Sequence, residues 1–157
     1  MASIRSTPAS DAWRALLIAF TSIRDELADD LLEHADVRIE HYEILLMLSS
    51  AGDDGLRPSA IAEHRRLTRS GATRLVDRLV HKGIVERRAC GSDGRGSVIV
   101  LADRGREIFM RAGRAHLASI DRHVGAKLTE EEAHQLTELL RKLRIDEPPE
   151  RASTSCP

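Results

Sequence analysis

Aromatic residues are scarce in this sequence: one tryptophan, one tyrosine and two phenylalanines among 157 residues. Its core must therefore be built from Leu, Ile, Val and Ala, which suits packed helices. Cysteine is scarcer still. Cys90 and Cys156 lie far apart, the second in a polar tail, so no disulfide framework is legible and a reducing cytoplasm is the expected home. No apolar run approaches the ~20 residues that span a bilayer, which excludes a membrane helix. The first ten residues have no apolar stretch beside their single arginine, so no secretory signal is expected. Catalytic patterns are missing as well. No Ser-His-Asp or Cys-His arrangement has a recognisable local context, and no glycine-rich loop opens a helix. No enzyme activity, cofactor or metal is expected. The length allows one domain with a real core and is too short for two.

What is present is an uneven charge. The net charge is only −1. Between Arg57 and Arg106, however, there are 12 Lys/Arg against 5 Asp/Glu, while the remainder holds 12 basic and 20 acidic residues. A basic lobe on acidic helices is the footprint of a surface that meets a polyanion, although a charged solvated surface segregated by chance would look the same.

The apolar pattern sets out the elements. Trp13, Leu16, Leu17, Phe20, Ile23, Leu27 and Leu31 recur at three- and four-residue steps, predicting a helix over about 11–34. A second helix is predicted over 39–50, with Tyr42, Leu45, Leu46 and Leu48 inward, and Gly52-Asp53-Asp54-Gly55 breaks it. Pro58 suits the first turn of a short helix over 58–66. Thr68 reads as the N-cap of a helix over 69–82, which Gly83 stops. Two β-prone runs, 84–88 and 97–101, flank a Gly-rich stretch and predict a hairpin with an extended tip. Asp103 reads as the cap of a helix of about 20 residues, and Thr129-Glu130-Glu131-Glu132 as a capping box for a last one. Residues 1–9 and 146–157 are expected to be disordered. The fold class is mainly α with a small β-hairpin wing (α+β): a winged helix-turn-helix lobe over about 56–101, joined to a helical dimerisation region over about 11–34 and 103–145.

The helix at 69–82 carries the chemistry. Ala72, Leu75, Val76, Leu79 and Val80 form one apolar face, and Ser70, Thr73, Arg74, Asp77, Arg78 and His81 fall opposite. Such a face can enter a major groove, with arginine meeting guanine edges and hydroxyls meeting bases or phosphates. An ordinary amphipathic surface helix has the same pattern. The hairpin separates the two readings. Arg95, flanked by glycines at the ribbon's tip, can reach a narrow minor groove, with Asp93 holding its guanidinium. Arg87 and Arg88 at the ribbon's base suit phosphate contacts.

The run Leu67-Thr68-Arg69-Ser70-Gly71-Ala72-Thr73-Arg74-Leu75-Val76-Asp77-Arg78-Leu79 is similar to the MarR family of bacterial regulators. So are Lys82-Gly83-Ile84-Val85-Glu86-Arg87-Arg88 and Asp93-Gly94-Arg95-Gly96. Leu101-Ala102-Asp103-Arg104-Gly105 resembles that family's lead into its dimer helix. The resemblance implies a homodimer on double-stranded operator DNA, with the first and last helices interleaved between subunits. It implies base contacts from Ser70, Thr73 and Arg74, backbone or edge contacts from Arg69 and Arg78, and a minor-groove contact from Arg95. Three departures stand out: Ala102 where threonine is usual, Arg66 where glycine is common, and the small pair Gly71-Ala72.

The same resemblance implies a small-molecule effector, often an aromatic acid, in a cleft that Trp13, His41 and Tyr42 would border. Simple packing of Trp13 and Tyr42 is the plainer reading of those two rings. Cys90, beside Arg87 and Arg88, opens a redox-sensing alternative, against which stands a small hydrophobe at a strand end. A winged helix serving only as a protein-interaction module is the other alternative. His116 and His123 lie two helical turns apart, ~10 Å, too far to hold one metal between them.

Overall fold

The protein is described by a computed structural model over residues 6–90 and 96–143. Its first helix, α1 (Pro8–Ala35), begins where Thr7 and Ser10 each accept a hydrogen bond from the other's backbone N–H. Pro8 sits in the first turn, where its missing N–H is not needed. The onset lies three residues ahead of the expected residue 11, so Pro8 and Ala9 belong to a helix and not to a loose leader. A capping box closed by serine instead of Glu or Gln does not stand out in a sequence. Asp36, in the left-handed region at φ 54°, ends α1 and turns the chain into α2 (Ile39–Ala51).

The inward face of α2 departs from expectation. Ile44 is fully buried whereas Leu46 is 46% exposed; Tyr42, Leu45 and Leu48 are buried as read. The cause is tertiary. This helix packs against three partners, α1 (Pro8–Ala35), a strand at 96–101 and a helix at 103–123, so its buried residues wrap around it and follow no single stripe.

A 3-10 turn at Gly52–Asp54 leads to Gly55, whose φ is 65°. A Cβ at Gly55 would stand 2.5 Å from the Ile99 carbonyl oxygen. That close approach lets Leu56 pair with Ile99 through two backbone hydrogen bonds of 2.9 and 2.8 Å. Helix α3 (Pro58–His64) stops two residues short of the expected end. Arg66 N–H donates to Glu63 O (3.1 Å) and Leu67 N–H to Ala62 O (2.9 Å), the paired bonds of a Schellman ending. Arg66 itself takes the left-handed position, φ 48°, which explains why glycine suits this site.

Helix α4 (Arg69–His81) starts as read, with Thr68 Oγ1 accepting from Gly71 N–H at 3.1 Å. It ends on a second Schellman pair, Gly83 N–H to Val80 O (2.8 Å) and Ile84 N–H to Leu79 O (2.9 Å), with Gly83 at φ 65°. Strands β1 (Val85–Cys90) and β2 (Gly96–Leu101) pair antiparallel from Val85↔Leu101 to Cys90↔Gly96. Helix α5 (Asp103–His123) has Ala102 as an N-cap without a side-chain bond. Asp103 is therefore not the cap. It is the first helical residue, and its charge acts on the helix dipole instead. Helix α6 (Glu130–Lys142) carries the expected Thr129–Glu132 capping box.

Two apolar clusters hold these parts together. Ile44, Leu45, Leu48, Ile61, Leu75, Val76, Leu79, Val85, Ile99 and Leu101 form the core of the lobe. Leu31, Ala35, Val37, Ile39, Tyr42 and Ala112 join α1, α2 and α5, and Ile108 and Phe109 pack against both clusters. Farther along the α1–α5 contact, the largely buried Asp30 accepts from Ser119 Oγ and from Arg122 and His123 at 3.0 Å each. The Ser119 hydroxyl first, and then His123 and Arg122, hold its carboxyl below the usual range. Asp30, Glu33 and His34 could present metal-ligand atoms together, but Arg122 already supplies that carboxylate with a cation.

Large apolar side chains remain uncovered elsewhere. Trp13, Ile18 and Phe20 on α1 are 61–63% exposed, and Leu136, Leu139, Leu140 and Leu143 at the other end of the chain 37–64%. No residue of α6 is buried. None of the described helices is long and apolar enough to cross a membrane.

Candidate nucleic-acid interface

Burial splits α4 into two faces. Ala72, Leu75, Val76 and Leu79 are buried against the lobe's core, with Val80 partly so. Ser70, Thr73, Arg74, Asp77, Arg78 and His81 are all exposed on the other side. Arg69, at the first helical position, is exposed as well, and so is the Thr68 cap. Thr73 Oγ1 donates to Arg69 O at 2.9 Å, which leaves its oxygen free to accept. Among the described residues, no carboxylate pairs with Arg69, Arg74 or Arg78. The buried face anchors the helix, and the exposed one carries these three guanidinium groups together with Asp77.

The strands fix the second part of this surface. Arg87 on β1 reaches back to Asp77 on α4, Nη2 to Oδ1 at 2.7 Å. Arg88, on the opposite face of the strand, holds Glu86 Oε1 through Nε and Nη2, at 2.9 and 2.7 Å. Both arginines, expected to suit phosphate contacts, also have an acidic partner. The Asp77–Arg87 pair was not foreseen. Its signal was present in the lone acid on α4's polar face and in a strand that must pass close to it. At both sites an exposed pair leaves spare N–H donors, because a guanidinium has five. Asp93, Arg95 and the Cys90 side chain lie outside the described residues.

The three residues read as bordering an effector cleft are not brought together within the chain. Tyr42 is buried, stacked on Phe109 at 6.0 Å between ring centroids and tilted against His116 at 4.8 Å. His41, the next residue round the helix, is half-buried against a different cavity. Trp13 lies on the uncovered part of α1. His116, too far along α5 from His123 to share a metal with it, is the ring that packs with Tyr42. Burial holds the His116 imidazole below its usual range, with Glu43 opposing.

This arrangement of helices and hairpin has known counterparts. A family model described as MarR family matches residues 35–96. A MarR family transcriptional regulator from Streptomyces coelicolor, solved in complex with DNA, is 30% identical, with a TM-score of 0.75 over 88% of this chain and 91% of its own. This chain belongs to the MarR family. AbsC, a second MarR family regulator from Streptomyces coelicolor, is 28% identical, with a TM-score of 0.77 over 90% of this chain and 95% of that one. The HTH-type transcriptional regulator MhqR of Bacillus subtilis is 26% identical over 128 residues, 82% of this chain and 86% of that protein. As a member of the MarR family the chain is a transcriptional regulator and not an enzyme, and its two-stranded ribbon is the wing of a winged helix.

Proposed function

We propose that this MarR family regulator binds operator DNA as a homodimer and represses transcription until an effector releases it. The observation that carries the reading is α4. One of its faces is locked into the core, and the other presents Arg69, Arg74 and Arg78 without acidic partners among the described residues. The related Streptomyces regulator solved with DNA supports duplex DNA as the partner. Ser70, Thr73 and Arg74 read base edges, Thr68, Arg69 and Arg78 hold the register, and Arg87 and Arg88 add phosphate contacts with their spare N–H groups. Arg95, oriented by Asp93, serves the minor groove.

The apolar residues left bare on α1 and α6 support the second subunit. A helix with an apolar stripe and no buried residue needs a partner, and the interleaved ends expected of the family supply one. The operator is then pseudo-palindromic, with half-sites about one helical turn apart, ~34–36 Å. The effector reading rests on the Tyr42–Phe109–His116 ring cluster, where His116 Nδ1 is buried without a hydrogen-bond partner. An aromatic acid could stack there and answer that nitrogen, acting through unequal affinity for the DNA-fitting and non-fitting subunit spacings.

Footprinting on the intergenic DNA beside the gene tests the core of this reading. Two protected half-sites related by a dyad are expected, with affinity falling steeply with salt. No protection of any duplex at low ionic strength would overturn it.

A further inference from the structure

The turn between α3 and α4 holds two adjacent arginines in opposite surroundings. The Arg65 side chain is only 24% exposed and is paired with Glu43 of α2. Arg66 is exposed, and among the described residues no carboxylate or hydrogen-bond acceptor meets its guanidinium. Its backbone is left-handed, at φ 48°. Asp36 is the other described non-glycine residue in that region, and a short polar side chain such as aspartate's can support the conformation by local hydrogen bonding. Arginine has no such relief, and the Cβ clash that glycine escapes stays with it.

Nothing in the fold calls for this side chain. The carbonyls that end α3 are already met by the backbone: Ile61 O accepts from Arg65 N–H at 3.0 Å, Ala62 O from Leu67 at 2.9 Å and Glu63 O from Arg66 at 3.1 Å. None of them waits for a guanidinium to cap it. A residue that strains the backbone and makes no contact within the chain points to a use outside it.

Its place beside α4 says what that use is, given the reading above that α4 enters a major groove. A helix with its side chains is ~10–12 Å across, and the groove is ~12 Å wide. A helix seated there has a phosphate strand along each flank, and the chain leading into its N-terminus must pass one of them. Arg66 stands on that lead, two residues before the Thr68 cap, at most ~7 Å away along the chain. We infer that Arg66 is a DNA-positioning residue that grips a backbone phosphate where α4 enters the groove. The guanidinium fork matches a phosphate's paired oxygens. A glycine would suit the turn better and leave that phosphate unmet.

Substitutions in the full chain separate the backbone from the charge. Arg66→Gly relieves the turn and removes the cation, Arg66→Gln removes the cation and keeps the strain, and Arg66→Lys keeps both. Each is measured for its urea midpoint and, by fluorescence anisotropy, for operator affinity between about 50 and 200 mM salt. Arg66→Gly is expected to raise the midpoint and yet weaken binding, opposite signs that a merely structural role does not give. Arg66→Gln should weaken binding as much without the gain in stability, and Arg66→Lys should keep the salt dependence of the wild type. Each phosphate contact adds ~0.9 to the salt slope, so with one Arg66 per half-site the wild type should lose roughly tenfold more affinity over that range than Arg66→Gly. The loss should be equal on operators altered at any base pair, because a phosphate contact carries no sequence information. If the wild-type chain bound no duplex, operator binding itself would fall and this contact with it. If the wild type binds and Arg66→Gly matches it in affinity and salt slope, the role of Arg66 alone is overturned, as it is by a loss confined to one base pair.

Discussion

Arg66 holds a backbone conformation that belongs to glycine. A left-handed L-residue costs roughly 1–2 kcal/mol, and glycine's greater freedom in the unfolded chain returns about half of that. Arg66→Gly is therefore expected to stabilise the fold by roughly 0.5–1 kcal/mol in urea unfolding. The chain keeps an arginine there, exposed in the turn between α3 and α4, where a cation can meet a phosphate. On the groove face, Arg74→Ala is expected to weaken operator binding by about 1–3 kcal/mol and relax the preference at one base pair, as measured by gel retardation on a panel of single-base variants. Two half-buried imidazoles set the pH response. His41 and His116 are both held below the ordinary value of 6.5, chiefly by burial. The unfolded chain then takes up their protons at a higher pH than the folded one. The stability they confer is complete above that value and is lost as pH falls through it toward the folded values. Urea unfolding at pH 7.5 and 5.5 should show the loss, and His116→Gln should reduce it.

At the level of elements, most of the plan was legible in the sequence. Thr68, Gly83 and the Thr129–Glu132 box mark their helix ends because capping is local, and the two faces of α4 follow from its spacing. Several features were not legible, for physical reasons. The inward side of α2 is set by neighbours on three sides. The start of α1 uses a serine-closed box. The pairing of Arg87 with Asp77 depends on where β1 crosses α4. Another unread contact joins α5 to the root of the wing. A Cβ on Gly105 would stand 1.9 Å from the Ile84 carbonyl oxygen, a backbone atom that cannot swing aside. Gly105→Ala is expected to cost at least the ~1–3 kcal/mol of an overpacked site and to shift the wing, seen as a lower urea midpoint together with weakened operator binding.

For the whole molecule, the bare leucines of α6 and the exposed rings of α1 are the largest unsettled account in the single chain. Leu139→Glu, at a residue 57% exposed here, is expected to leave the lobe folded and yield monomers by light scattering, with operator affinity falling to that of one half-site. An unchanged dimer would remove α6 from the interface. The Gly105–Ile84 contact then acquires a mechanical meaning. With no side chain to cushion the two backbones, the stem and the reading head cannot slide past each other at that point. Any tilt of the stem is geared directly into the angle at which the head meets the duplex.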